Sequence, residues 1–224
     1  MQFKPTFMLC LSAALAHSAC AAVTYESQLR ELTALSPTFP PFGGILRSNA
    51  TGSFVQSRHS SRLVRLRDLE YIVKALASID SDIDASGITA FGTLEALGTP
   101  ITEPWMQGPI SRARVEIATT FSIDVDTPFI LNASVVPTRD TDLFAIKLAD
   151  ARGNDVVAVD NSWPDTPIAI SGILTPGRYS FHYLAELNSG SFASTDYSVA
   201  LVIPAPVSVL VVAVLPLAIR RRRF

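Results

Sequence analysis

Hydrophobic and polar residues alternate with a period of two along residues 115–203, and this alternation predicts a series of short β-strands. In Pro128–Val136, every second residue from Phe129 to Val135 is apolar, so these side chains share one face of a strand. The strand that follows Gly177 places Tyr179, Phe181 and Tyr183 on one face. Further strands are predicted at Val115–Ile117, Phe121–Val125, Phe144–Leu148, Val156–Val159, Ile168–Leu174 and Tyr197–Ile203.

Turn signals separate these strands at short intervals. The segment Asp150–Asp155 contains Gly153 and predicts a hairpin between the strands on either side. Thr175-Pro176-Gly177 has the residues of a type II turn, with proline at its first central position and glycine at its second. Many short strands with regular turn signals predict an all-β fold, a β-sandwich or jelly roll, over residues 22–203.

The first half of the chain is less regular. Strands are predicted at Val23–Arg30 and Gly52–Gln56. Residues 63–79 have apolar positions at both helical and strand spacing, and their β-rich flanks favour a strand. The glycines and prolines of residues 96–111 predict a loop, which would divide the body into layers or subdomains at 22–95 and 112–203.

The N-terminus has the three parts of an export signal. Lys4 supplies positive charge, Phe7–Ala16 is apolar, and Ala19-Cys20-Ala21 fits the small-x-small pattern of a cleavage site. Residues 1–21 are therefore predicted to be a signal peptide, cleaved after Ala21 or Ala22. A lipoprotein signal at Cys20 and a stable membrane helix fit the sequence less well.

The C-terminus, residues 204–224, has a second three-part arrangement. Pro204-Ala205-Pro206 is followed by the mostly apolar run Val207–Ile219 and by four arginines, Arg220, Arg221, Arg222 and Arg223. A helix of that length spans roughly 20 Å, less than the roughly 30 Å of a bilayer core. The arginines would stay in the cytoplasm, so the body would be exported and the tail held transiently in the inner membrane. An ordinary tail anchor is the alternative.

This tail resembles the C-terminal sorting signal of PEP-CTERM proteins of Gram-negative bacteria, in its Pro-Ala-Pro variant. The resemblance implies processing by an exosortase and delivery to the cell surface or extracellular matrix. Leu174–Tyr179 and the hairpin Phe144–Asp160 also resemble the β-sandwich body common in such proteins and, more loosely, the bacterial pre-peptidase C-terminal domain.

Removal of both termini changes the cysteine count and the charge. Cys10 and Cys20 both fall in the signal peptide, so the body has no disulfide and no thiol nucleophile. Without Lys4 and the four tail arginines, 13 of the 18 basic residues remain against 20 acidic residues, a net charge of −7. This charge argues against nucleic acid and anionic polymers as partners.

Candidate chemistry is sparse, and no cofactor is predicted. Asp80, Asp82 and Asp84 have the opening spacing of a calcium loop, but a solvated acidic strand or turn explains them better. The carboxylate pairs Asp124/Asp126 and Asp140/Asp142 would serve a glycosidase only if they faced each other across a cleft. No catalytic or metal-binding residue is assigned.

A few other side chains are weak candidates. His59 is predicted in a polar loop and His182 on the outward face of a strand. Trp105 and Trp163 lie in proline-containing segments, where tryptophan either stacks on sugars or packs against the rim of a sandwich. The leading hypothesis is a non-enzymatic surface or matrix protein; a carbohydrate-binding module that uses both tryptophans ranks second, and a secreted hydrolase third. Exopolysaccharide is the partner that the first two would share.

Overall fold

A computed structural model describes residues 23–36, 42–66, 69–100, 109–135, 143–160 and 167–204. These residues form twelve β-strands and no helix. The strands are β1 Thr24–Ser36, β2 Phe42–Ser48, β3 Phe54–Leu66, β4 Leu69–Asp84, β5 Gly87–Pro100, β6 Ser111–Ile123, β7 Thr127–Val135, β8 Leu143–Asp150, β9 Asp155–Asp160, β10 Ile168–Leu174, β11 Gly177–Ser189 and β12 Ala193–Val202.

The strands form two antiparallel sheets of six strands each. Sheet A has the order β2-β1-β6-β11-β8-β9, and sheet B has the order β10-β7-β12-β5-β4-β3. The prediction of an all-β fold is confirmed, and the two sheets are consistent with a β-sandwich. Residues 63–66 form the end of β3 and residues 69–79 most of β4, so the prediction of strand over helix is correct, but the segment belongs to two antiparallel strands and not to one.

The two sheets do not divide the chain at residues 96–111. Each sheet takes strands from both 22–95 and 112–203, so these segments are not the two layers. The predicted loop is also too long, because β5 continues to Pro100 and β6 begins at Ser111. Gly98 signalled a loop in the sequence, but it pairs with Val73 inside the sheet. A side chain at Gly98 would overlap the Pro109 carbonyl oxygen, so glycine is needed here for a close backbone approach.

The alternation of each central strand places its apolar residues between the sheets. In β6, every odd-numbered residue from Ser111 to Ile123 is buried, which joins the two predicted strands of this region into one. Tyr183 of sheet A is fully buried, and its ring lies 5.9 Å from the ring of Tyr197 in sheet B. Burial of a large apolar side chain contributes about 1.5–3 kcal/mol, so this shared core holds the two sheets together.

The crossing from β2 in sheet A to β3 in sheet B is fixed by a buried arginine. Arg30 is 1% exposed, and its guanidinium donates to the carbonyl oxygens of Ala50 and Gly52. It also donates to Ser81 Oγ at 3.2 Å and lies 4.9 Å from the centre of the Phe54 ring. Arg30 thereby donates to two partly buried carbonyl groups of the crossing.

The crossing from β10 to β11 is fixed by a tyrosine. The Tyr179 hydroxyl donates to the carbonyl oxygen of Thr175, four residues upstream, at 2.8 Å. Gly177 has a φ of 159°, an extended conformation, so the predicted type II turn is wrong. Thr175 and Pro176 carry the chain between the sheets instead of reversing it within one, which explains the extended backbone.

A serine fixes a third junction between the sheets. Ser111 Oγ accepts a hydrogen bond from the Leu97 backbone nitrogen at 2.8 Å and lies 3.0 Å from the Leu97 carbonyl oxygen. The same hydroxyl lies 3.3 Å from the carbonyl oxygen of Ser189 in β11. This small polar side chain therefore links the end of β5 in sheet B to two strands of sheet A.

We predict that Arg30→Met destabilises the fold by about 2–4 kcal/mol, because it removes the donor from the Ala50 and Gly52 carbonyl groups and the hydrogen bond to Ser81. Chemical denaturation monitored by tryptophan fluorescence measures the change. The control is Arg178→Met, which removes an exposed pair with Glu26 and should cost less than about 1 kcal/mol. Equal stability of Arg30→Met and the unmodified chain would show that the crossing does not depend on Arg30.

Candidate functional site

The outward face of sheet A carries a band of charged side chains, which we call the polar face. Because β6 buries its odd-numbered residues, the even-numbered Arg112, Arg114 and Glu116 point outward. Strands β1 and β11 flank β6 on its two sides and extend the band. The polar face consists of Glu31, Arg47, Arg112, Arg114, Glu116, His182 and Glu186.

Arg114 joins two carboxylates on this face. It donates to Glu116 on its own strand, and its Nη1 lies 3.7 Å from Oε2 of Glu186, the residue opposite it on β11. Glu186 also accepts hydrogen bonds from Arg112 and, at 2.8 Å, from Asn188. The Glu186 side chain is only 6% exposed, so this network screens it from water.

Glu116 has a second donor in His182. His182 Nε2 lies 2.9 Å from Oε1 of Glu116. Burial raises the pKa of Glu116, but the hydrogen bonds from His182 and Arg114 outweigh it and lower that pKa below its ordinary value. Glu116 is therefore held as a carboxylate, in a state suited to accepting hydrogen bonds.

Glu31 lies directly opposite Glu116 in the pairing of β1 with β6. Two carboxylates on directly opposite residues of neighbouring strands would repel each other. Each has its own cation, because Arg47 Nε donates to Glu31 Oε2 at 2.7 Å. The three glutamates and three arginines of the polar face therefore balance in charge.

A shallow groove adjoins the charged band on the same face, with a volume of about 660 Å³. Its lining includes the hydroxyl groups of Ser27, Thr120 and Ser180. His182 lines the groove and also contacts Glu116, so it connects the groove to the charged band. Hydroxyl donors and acceptors beside fixed charges form a surface suited to a polar ligand.

The ion pairs of the polar face also affect whether its glutamates could catalyse hydrolysis. Glu116 and Glu186 share one face, which a paired-carboxylate mechanism requires. Both are held in ion pairs, and the lowered pKa of Glu116 suits an acceptor and not a general acid. The geometry therefore favours binding over proton transfer at these residues.

The two predicted histidines have different outcomes. His182 lies on the outward face of its strand, as predicted. His59 lies within β3 and not in a loop, so that prediction is wrong. Eight of the thirteen residues of β3 are polar, so the sequence did not indicate a strand here; β3 is an edge strand with little apolar surface to bury.

The carboxylates of the suggested calcium loop do not converge. Asp80, Asp82 and Asp84 alternate with buried residues along β4. Asp84 accepts hydrogen bonds from Ser86 Oγ and Ser86 N, and these bonds lower its pKa. Among the described residues, no group of three His, Cys, Asp or Glu side chains could hold a metal ion.

Several candidates lie outside the described residues or away from the polar face. Asp124 and Asp126 fall in the crossing between β6 and β7. Pro204 is the last described residue. The candidates outside the described residues are Trp105, Trp163, Asp140, Asp142, Ala19, Ala21, Ala22, Ala205, Pro206, Arg220, Arg221, Arg222 and Arg223.

Sequence reasoning missed the network of Arg112, Arg114 and Glu186. The arginines are separated from Glu186 by more than 70 residues, and only the pairing of β6 with β11 brings them together. A local signal existed in the alternation of charged and apolar residues along 111–117. This alternation predicts that β6 has an outward face of charged residues, but it does not predict that β11 supplies the ion-pair partner.

Comparisons with known proteins leave the family open. No family model matches the chain, and no curated protein matches it. A crystal structure of the enzymatically active domain of tailspike protein 4 from bacteriophage CBA120 matches with a TM-score of 0.27 and 14% identity. The match covers 66% of this chain and 19% of that chain, and a TM-score this low carries no argument about function. No helix among the described residues is long and apolar enough to cross a membrane.

We predict that Glu116 contributes to stability on the acid side. Because its folded pKa lies below the ordinary value of 4.5, its contribution is present above that pH and is lost as the pH falls through the folded pKa. Glu116→Gln should therefore flatten the decline in melting temperature below about pH 4.5, measured by thermal unfolding across pH. The control is Glu70→Gln, at an exposed position of β4, and it should retain the original decline. An unchanged acid-side slope in Glu116→Gln would contradict the prediction.

Proposed function

We propose that this chain is an exported, non-enzymatic protein of the cell surface or extracellular matrix. Its body, residues 22–203, is the displayed module, and residues 204–224 are the sorting signal. One observation carries the proposal: among the described residues, the last strand and the buried Ile203 directly precede Pro204, where the predicted sorting signal begins. Ile203 is fully buried, and its backbone nitrogen donates to the Ser86 carbonyl oxygen at 2.8 Å.

This position of Ile203 has a consequence for processing. The last hydrogen bond and the last buried side chain of the described body both precede Pro204-Ala205-Pro206. A processing enzyme that acts near these prolines would break none of the strand pairing of the body. The body would remain folded whether the tail is kept or removed, as display on a surface requires.

The cysteine content of the body also supports this role. The cysteine-free body matches a module whose stability comes from its apolar core, which oxidation outside the cell leaves intact. The inner membrane and an exosortase-like enzyme are its transient partners under this proposal. The body would lie on the non-cytoplasmic side because the tail arginines stay in the cytoplasm.

A carbohydrate-binding module is the second candidate. The hydroxyl-lined groove beside the polar face favours it, because sugars bind through hydrogen bonds to side chains of this kind. Under this alternative, binding uses Ser27, Thr120 and Ser180. Trp105 and Trp163 remain candidates for sugar stacking.

The test is intact mass spectrometry of the native protein combined with cell fractionation. We expect a surface or medium fraction that lacks residues 1–21 and the tail beyond about Pro206. A variant in which Arg220, Arg221, Arg222 and Arg223 are changed to glutamine is the control, and it should lose this processing. An intact C-terminus in the inner membrane would overturn the proposal in favour of a plain tail anchor.

A further inference from the structure

The charge of the body is segregated. Residues 42–66, which contain β2 and β3, include four arginines and no aspartate or glutamate. The body as a whole has a net charge of −7, so its remaining residues carry a net charge of −11. The net charge argues against anionic polymers as partners only if charge is spread evenly over the surface of the body, and it is not. We call Arg58 and Arg62, which lie on one face of β3, the arginine seam.

The seam lies where two sheet edges meet. β2 is an edge strand of sheet A, β3 is an edge strand of sheet B, and the two strands contact each other. The Arg62 guanidinium lies 5.9 Å from the centre of the Phe42 ring. The Arg58 guanidinium lies against Gly44, where an added side chain would overlap it. Guanidinium groups of β3 thus reach across the gap to β2.

The two seam arginines form no ion pair among the described residues. Arg47 pairs with Glu31, and Arg65 lies opposite Glu70 in the pairing of β3 with β4, whereas no described carboxylate forms an ion pair with Arg58 or Arg62. The Arg58 and Arg62 side chains are exposed. An acidic protein therefore presents one cationic strip along one side.

We propose that the arginine seam binds an acidic polysaccharide, which rests on the proposed function because such a polymer is an extracellular partner. Guanidinium groups bind carboxylates through two parallel hydrogen bonds, which suits uronic acid residues. Strand geometry places Arg58 about 13 Å along β3 from Arg62. This wide spacing matches a polymer with one carboxylate per sugar or per pair of sugars.

The same spacing argues against nucleic acid. Duplex DNA carries one phosphate charge per about 1.7 Å of its axis, so a few widely spaced arginines would neutralise little of it. The acidic remainder of the body would also repel a dense polyanion. A sparse polyanion can follow the edge of the sandwich without meeting the acidic faces.

Charged side chains on an edge strand also prevent edge-to-edge aggregation. Edge protection and polysaccharide binding predict different effects when the arginines are removed. If the seam only protects the edge, its removal increases self-association and leaves polysaccharide binding unaffected. If the seam binds, its removal weakens binding by a monomeric protein.

The experiment uses the full chain in a non-ionic detergent, with immobilised polygalacturonate as the probe and dextran as its neutral counterpart. The test variant is Arg58→Gln with Arg62→Gln. The matched control is Arg152→Gln with Arg178→Gln, which removes the same charge from exposed positions outside the seam. Light scattering and thermal unfolding verify that each variant is monomeric and folded.

We expect the unmodified chain to bind polygalacturonate and not dextran, with binding that weakens as salt rises. The seam variant should bind about tenfold more weakly, and the control should change less than about threefold. Three results would overturn the proposal: no binding by the unmodified chain, equal loss in both variants, or tighter binding to duplex DNA than to polygalacturonate. Fractionation of the native protein is unaffected by these results, so failure of the seam and failure of the proposed function are distinguishable.

Discussion

The structure depends on the need to satisfy backbone polar groups wherever the chain passes from one sheet to the other. Each such crossing interrupts a ladder of hydrogen bonds beside a core that excludes water. Arg30 donates to two carbonyl groups of one crossing, Tyr179 donates to a carbonyl group of another, and Ser111 links both sheets at a third. Because these junctions are fixed from within, the two inner faces form one core and the outward faces are free to carry charge.

The outward surfaces differ in how their charges are arranged. On sheet A, Glu116 and Glu186 are neutralised by arginines across neighbouring strands, which makes a stable, charge-balanced face beside a hydroxyl-lined groove. At the edge where β2 meets β3, Arg58 and Arg62 lack such partners among the described ion pairs, and both side chains are exposed. A rigid body with a balanced face and a cationic edge fits a displayed module that contacts polar material outside the cell.

The sequence predicted those features that depend on local alternation. The faces of Phe129 and Tyr183 and the hairpin around Gly153 follow from period-two patterning and turn chemistry. The assignment of strands to sheets did not follow, because pairing such as that of β1 with β6 joins residues far apart in the chain. Arg30 was missed for a related reason: an arginine in a polar strand predicts exposure, and only the crossing beside it explains its burial.

Native-state hydrogen exchange of the Ile203 amide tests most directly the claim that a closed, stable body ends where the proposed sorting signal begins. That amide donates to Ser86, on the turn between β4 and β5. We expect it to exchange only through global unfolding, as slowly as amides of the central strands, in both the full chain and the chain cut after Pro206. Rapid exchange at Ile203, or loss of its protection when the tail is removed, would contradict the account.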